Sequence, residues 1–153
     1  MQEALSILQK YWKHDAFRTP QAEIIASVLD GKDTFALMPT GGGKSICFQI
    51  PALMQDGICL VISPLIALMK DQVANLQKID IKAIALTGGI SSDEISDLLD
   101  NCQYGNYKFL YLSPERLQSD WILDRIKALP INLIAIDEAV SYTHLTLPTK
   151  RTV

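Results

Sequence analysis

The sequence predicts an α/β fold: a doubly wound, mainly parallel sheet with N-terminal helices, incomplete at its C-terminus. Three observations predict it. Five short apolar runs recur along the chain, stretches with helical spacing separate them, and hydroxyl-proline pairs stand where several helices would begin. Near-continuous apolar runs suit strands buried on both faces, and strand-helix alternation implies right-handed crossovers.

Two helices are expected before the first run, because MQEALSILQKYWKH mixes charged and apolar residues at helical spacing and Thr19-Pro20 opens a second such stretch. The first strand is expected over Thr34 to Met38 (TFALM), followed by a helix from Gly43 to Gln55. Ile58 to Ile62 (ICLVI) then leads into a helix over Pro64 to Lys78, and Ala83 to Leu86 (AIAL) into one over Ser92 to Cys102. Lys108 to Leu112 (KFLYL) precedes a helix over Asp120 to Leu129, and Asn132 to Ile136 (NLIAI) closes the series. Thr19-Pro20, Ser63-Pro64 and Ser113-Pro114 each offer a hydroxyl N-cap and a proline at the first helical position, where its missing N–H costs nothing. Ser91 with Glu94 reads as a capping box.

A chain of 153 residues, 48% apolar and 20% charged, suits one globular domain. Its formal charge of -3 excludes a global attraction to nucleic acid or to an anionic membrane, so any polyanion must be held locally. Cys47, Cys59 and Cys102 are odd in number and contain no C-x-x-C pair, which argues against a disulfide framework or a zinc site and fits a reducing cytoplasm. The N-terminus lacks the zones of a signal peptide, and the most apolar stretch, Ile58 to Met69, is too short to span a bilayer. No membrane association is expected.

The strongest chemistry lies in MPTGGGKS, Met38 to Ser45, between an expected strand and an expected helix. Gly41, Gly42 and Gly43 let the backbone take positive φ and turn N–H groups inward beside Thr40, and the helix N-terminus adds partial positive charge. Such a nest cradles nucleotide phosphates, with Lys44 reaching the β- and γ-phosphates and the Ser45 hydroxyl on Mg²⁺. Met38 stands where the usual pattern has its first glycine. Asp137-Glu138 ends the last expected strand, and in a doubly wound sheet it faces the same crevice as the loop. Asp137 suits Mg²⁺ through water, and Glu138 suits orienting or deprotonating the attacking water.

With both motifs in place, further stretches can be weighed: FRTPQ (Phe17 to Gln21), MPTGGGKSICFQIPAL (Met38 to Leu53), SPLIALMKDQV (Ser63 to Val73), YLSPERL (Tyr111 to Leu117) and IDEA (Ile136 to Ala139). Over residues 1–139 the chain resembles the first RecA-like lobe of RecQ-family DNA helicases, within superfamily 2. The resemblance implies ATP and Mg²⁺ as cofactors, DNA as partner, 3′ to 5′ polarity, and catalytic roles for Lys44, Asp137 and Glu138. It implies that Gln21 reads the adenine edge, with Arg18 beside it and His14 against the base; His14 reads equally as a polar residue near a helix end. Helicases of this superfamily commonly lack the glycine replaced by Met38. SPLIALMKDQV looks like a motif that touches the single-strand backbone, implying contacts from Ser63, Pro64 and Leu65. Lys70 is open to a phosphate contact or to plain solvation. Thr87-Gly88 is a similar turn after a strand, and Arg116 is open to a DNA contact or to a pair with a neighbouring carboxylate.

Two other readings share these motifs. A guanine-binding enzyme is disfavoured because no N-K-x-D occurs, and a DEAD-box RNA helicase because its counterpart of SPLIALMKDQ differs. A non-catalytic fragment is the other alternative, since superfamily 2 hydrolysis draws its arginine from a second RecA-like lobe, which this chain is expected to lack. The family carries histidine where this chain has Val140. VSYTHLTLPTKRTV, residues 140–153, back-translates as GTC TCT TAT ACA CAT CTG ACG CTG CCG ACG and onward, the mosaic end and flank of a transposase-based sequencing adapter. The tail is therefore expected to be non-native and without function.

Overall fold

A computed structural model describes residues 1–38 and 43–137 of the chain. Helix α1 (Gln2–Ile7) runs into a π-helical turn (Leu8–Trp12), and α2 spans Gln21–Leu29. Then follow α3 (Ile46–Leu53), β1 (Ile58–Ile62), α4 (Ile66–Lys78), β2 (Ala83–Leu86), α5 (Ser92–Tyr104) and β3 (Phe109–Leu112). A 3₁₀ turn (Pro114–Gln118), α6 (Asp120–Lys127) and β4 (Ile131–Ile136) complete the described elements. The strands form one parallel sheet in the order β2-β3-β1-β4.

The two-residue period of a strand divides the core. Ile58, Leu60 and Ile62 of β1 face one side with Leu110, Leu112 and Ile134, and there they meet Ile95 and Leu99 of α5 and Ile122 and Ile126 of α6. Cys59 and Val61 face the other side with Phe109, Tyr111 and Leu133, under Phe48 of α3 and Met69, Val73 and Leu76 of α4. A smaller cluster of Ala4, Leu8, Ile25, Ile46 and Ile50 seats the N-terminal helices on α3.

Four of the five expected strands form. Residues 34–38 do not: they lie outside any helix or strand, with Phe35 66% and Leu37 79% exposed. The described sheet ends at β2 on one side and β4 on the other, and neither edge pairs with this segment. An apolar run without a neighbouring backbone has nothing to complete its ladder.

The helix starts also differ from expectation. Ser63-Pro64 does not open α4, whose N-cap is Leu65 in an extended conformation. Instead the Ser63 Oγ accepts from the Leu65 N–H at 3.2 Å and closes a small side-chain turn. Pro20 is itself the N-cap of α2, after a cis Thr19-Pro20 peptide, and Pro114 opens a 3₁₀ turn without a side-chain cap from Ser113. Ser91 does cap α5, its hydroxyl accepting from the Glu94 N–H at 3.2 Å. α3 starts later than expected because residues 43–45 are still turning out of the loop, and α6 ends two residues early.

Two devices fix the entry to β1. Gly57 has φ +105°, and a Cβ there would lie 2.3 Å from the Pro130 carbonyl oxygen, so only glycine fits. The Asn132 side-chain amide donates to the carbonyls of Ala52, Gln55 and Asp56, while the Lys108 ammonium donates to Gln55 at 2.7 Å. These bonds satisfy carbonyls that the end of α3 would otherwise leave open.

Candidate functional site

The carboxyl ends of all four parallel strands point one way, and the residues singled out in the sequence follow them: Ser63 after β1, Thr87 and Gly88 after β2, the 3₁₀ turn with Arg116 after β3, and Asp137 after β4. This is the edge at which open α/β sheets bind ligands.

Asp137 extends the ladder by one residue, its N–H donating to the Ile62 carbonyl at 2.9 Å. That bond holds the carboxylate at the head of β4, where its Oδ1 meets the Lys44 Nζ at 2.9 Å. The Asp137 side chain is nearly buried and that of Lys44 is 40% exposed, so the ammonium reaches from the open side. Two residues 93 positions apart in sequence thus form one charged pair at the sheet edge.

Gln21 braces the loop from below. Buried at the start of α2, it accepts from the Arg18 N–H at 2.8 Å and donates to the Gly43 carbonyl at 3.1 Å. Gly43 has φ +75°, and a Cβ there would lie 2.4 Å from the Gln21 Nε2, so glycine is required on both conformational and steric grounds. The amide expected to read adenine is therefore bonded to the loop here. Arg18 and His14 are exposed nearby in sequence. The Met38 sulfur lies 3.6 Å from that of Cys47 on α3. Burial pushes the Cys47 thiol up to about 11, so it stays protonated beside the loop. Ser45 stands at the N-cap of α3 and is half-buried. Thr40, Gly41, Gly42 and Glu138, together with the tail at 140–153, lie outside the described residues.

Among the candidate nucleic-acid contacts, Ser63 is buried while Pro64, Leu65, Lys70 and Gly88 are exposed. The Arg116 guanidinium donates to the Thr87 carbonyl, tying the turn after β3 to the turn after β2, and among the described residues it forms no ion pair with a carboxylate. The loops are thus braced against one another as well as aligned.

Sequence reasoning missed Gln49, Gln72, Tyr111 and Asn132. Each is a polar residue inside an otherwise apolar run or helix face, and that lone polarity was the available signal. Among the described residues no group of three or more His, Cys, Asp or Glu is arranged to hold a metal, and no helix is long and apolar enough to cross a membrane.

A family model described as DEAD/DEAH box helicase matches residues 18–145. The chain is 46% identical over 133 residues to a probable ATP-dependent DNA helicase RecS of Bacillus subtilis, covering 86% of this chain and 26% of that protein. It is 44% identical over 140 residues to the ATP-dependent DNA helicase RecQ of the same organism, covering 91% of this chain and 24% of that protein. The chain therefore spans about a quarter of the length of these relatives. In fold it is similar to the helicase MrfA bound to DNA, with a TM-score of 0.75 at 24% identity, covering 92% of this chain and 21% of that one.

Proposed function

Because the chain belongs to the DEAD/DEAH box helicase family, we propose that it forms the ATP-binding lobe of a RecQ-type DNA helicase, one that couples ATP hydrolysis to 3′ to 5′ unwinding. The observation that carries this reading is the contact of Lys44 with Asp137 at 2.9 Å, which joins the phosphate loop to the acidic strand end. On this reading Lys44 would meet the polyphosphate, its ammonium exchanging the Asp137 carboxylate for the β- and γ-phosphate oxygens. Glu138, the next residue, would orient and deprotonate the attacking water.

The donor set fits magnesium, since the Ser45 hydroxyl and the Asp137 carboxylate are hard oxygen ligands with no competing sulfur or imidazole ligand in the set. Ser45 and Asp137 would hold Mg²⁺, which when bound would offset charge building on the γ-phosphate. Gln21 supports loop geometry through Gly43, and reading adenine would require its amide to exchange one of its present bonds. The loops at Ser63 to Leu65, Thr87-Gly88 and Arg116 would carry DNA on the same edge, through backbone N–H groups rather than a basic surface. A second RecA-like lobe would supply the arginine that stabilises the transition state. Residues 140–153 are assigned no role, and adapter codons in the nucleotide sequence would support that assignment where native codons would overturn it.

Binding of a fluorescent ATP analogue to the 153-residue chain tests the reading. Lys44→Ala removes a charge-assisted contact of about 1.5–3 kcal/mol and should weaken binding roughly tenfold or more. Equal binding by the variant would refute the site. Strong DNA-stimulated hydrolysis by this chain alone would refute the need for a second lobe.

A further inference from the structure

One place on the α3/α4 face of the sheet is polar. Tyr111 lies within β3, 1% exposed, and its hydroxyl donates to the Gln72 Oε1 on α4 at 2.7 Å. The same hydroxyl accepts from the Gln49 Nε2 on α3 at 3.2 Å, and Gln49 is 4% exposed. A cavity of about 80 Å³ adjoins the relay, lined by Ser45, Gln49, Gln72 and Asn75 among others. It is polar and roomy enough for water, and it reaches from the relay to the hydroxyl at the phosphate loop.

The core does not need this arrangement. The buried residues of the opposite face are isoleucine, leucine and one cysteine, with Tyr107 packed partly buried against them, and among the described residues none of that buried set forms a side-chain hydrogen bond. Apolar residues at positions 49 and 111 would pack the α3/α4 face without desolvating amides and a phenol. Hydrogen bonds are directional, however, and apolar contacts are not. A relay through one hydroxyl fixes the position of α3 against α4 in a way that apolar packing would leave free to slide. Burial pushes the Tyr111 phenol far above its ordinary range, so the hydroxyl keeps its proton and remains a donor.

The two helices it joins begin at the two halves of the proposed site. α3 continues from the phosphate loop, and α4 continues from Ser63 to Leu65, where DNA is proposed to lie. We infer that Gln49, Tyr111 and Gln72 are positioning residues that transmit a nucleotide-driven shift of the phosphate loop to α4 and its DNA-facing start. The inference rests on the nucleotide reading of the loop, and its test separates the two.

Backbone amide signals of the 153-residue chain, followed by NMR during titration with ADP and Mg²⁺, provide that test. In the unaltered chain, signals of Gly43 to Ser45 and of α4 should both shift. In Tyr111→Phe the loop signals should still shift while the α4 response is lost. Gln72→Leu, at a half-buried position where folding is less at risk, should give the same loss along the rest of α4. An α4 response that survives both substitutions, or that is missing from the unaltered chain while the loop responds, overturns the relay. No loop response in the unaltered chain overturns the nucleotide reading itself, and the relay with it.

Discussion

ICLVI at 58–62 and TFALM at 34–38 are five-residue apolar runs of similar composition, and in each case the next helix or strand along the chain among the described residues is a helix, yet only the first is a strand. All five residues of β1 are buried, between β3 on one side and β4 on the other. Phe35 and Leu37 face solvent, and no strand stands beside them among the described residues. The contrast shows that apolarity supplies the tendency and a neighbouring backbone supplies the strand. Leu60→Ala, at a site 1% exposed, should cost about 3–5 kcal/mol through lost burial and a residual cavity. Leu37→Ala should cost under about 0.5 kcal/mol. Urea midpoints would check both, and similar losses at the two sites would mean that 34–38 is buried in solution and the comparison is false.

Gly57→Ala probes how strongly the turn into β1 is specified. Its left-handed φ and the Pro130 oxygen both oppose a Cβ, so a loss of about 1–3 kcal/mol is expected. Gly88→Ala, with open space around it and an ordinary φ, should change stability by under about 0.5 kcal/mol. Equal losses would show that the clash at Gly57 relaxes at little cost.

Much of the site was legible because it is encoded locally. The glycine run with Lys44, and the acid at the end of an apolar strand, are two short local patterns whose chemistry survives without knowledge of the fold, and the 2.9 Å contact of Lys44 with Asp137 joins them. What was illegible depends on packing between distant elements. Asn132 capping α3, Arg116 holding Thr87 and the Gln49-Tyr111-Gln72 relay each join segments far apart in sequence, and no spacing rule announces them. The helix starts failed for a different reason. Ser63-Pro64 has the composition of an N-cap, but the serine sits buried at the strand end, and its hydroxyl closes a turn before α4 begins.

The thiols give a graded test of the same contrast between buried and exposed runs. Cys59 lies inside β1, and burial pushes its thiol far above its ordinary value; Cys47 and Cys102 are pushed from 9.0 up to about 11. A folded pKa above the unfolded one means that the native state holds more protons, so this contribution is complete below about pH 9 and is lost as pH rises toward 11. Melting temperature should therefore fall across that window, and less so when Cys47 and Cys102 are replaced by alanine. Against the same reagent, the three native thiols should react only on unfolding, whereas Leu37→Cys should react at once. Slow labelling at position 37 would close the gap between the two runs.

Leu37→Lys carries the smallest expected effect on stability and the sharpest reading of exposure. A charge at a position 79% exposed meets no apolar neighbour that must be desolvated, so the urea midpoint should hold to within about 0.5 kcal/mol. Exposed apolar segments favour association between chains, and lysine is a residue that suppresses it. Light scattering at matched concentration should accordingly fall in the variant while its stability stays constant. A destabilised Leu37→Lys chain would instead mean that the segment docks on the sheet, and TFALM would then deserve the same description as ICLVI.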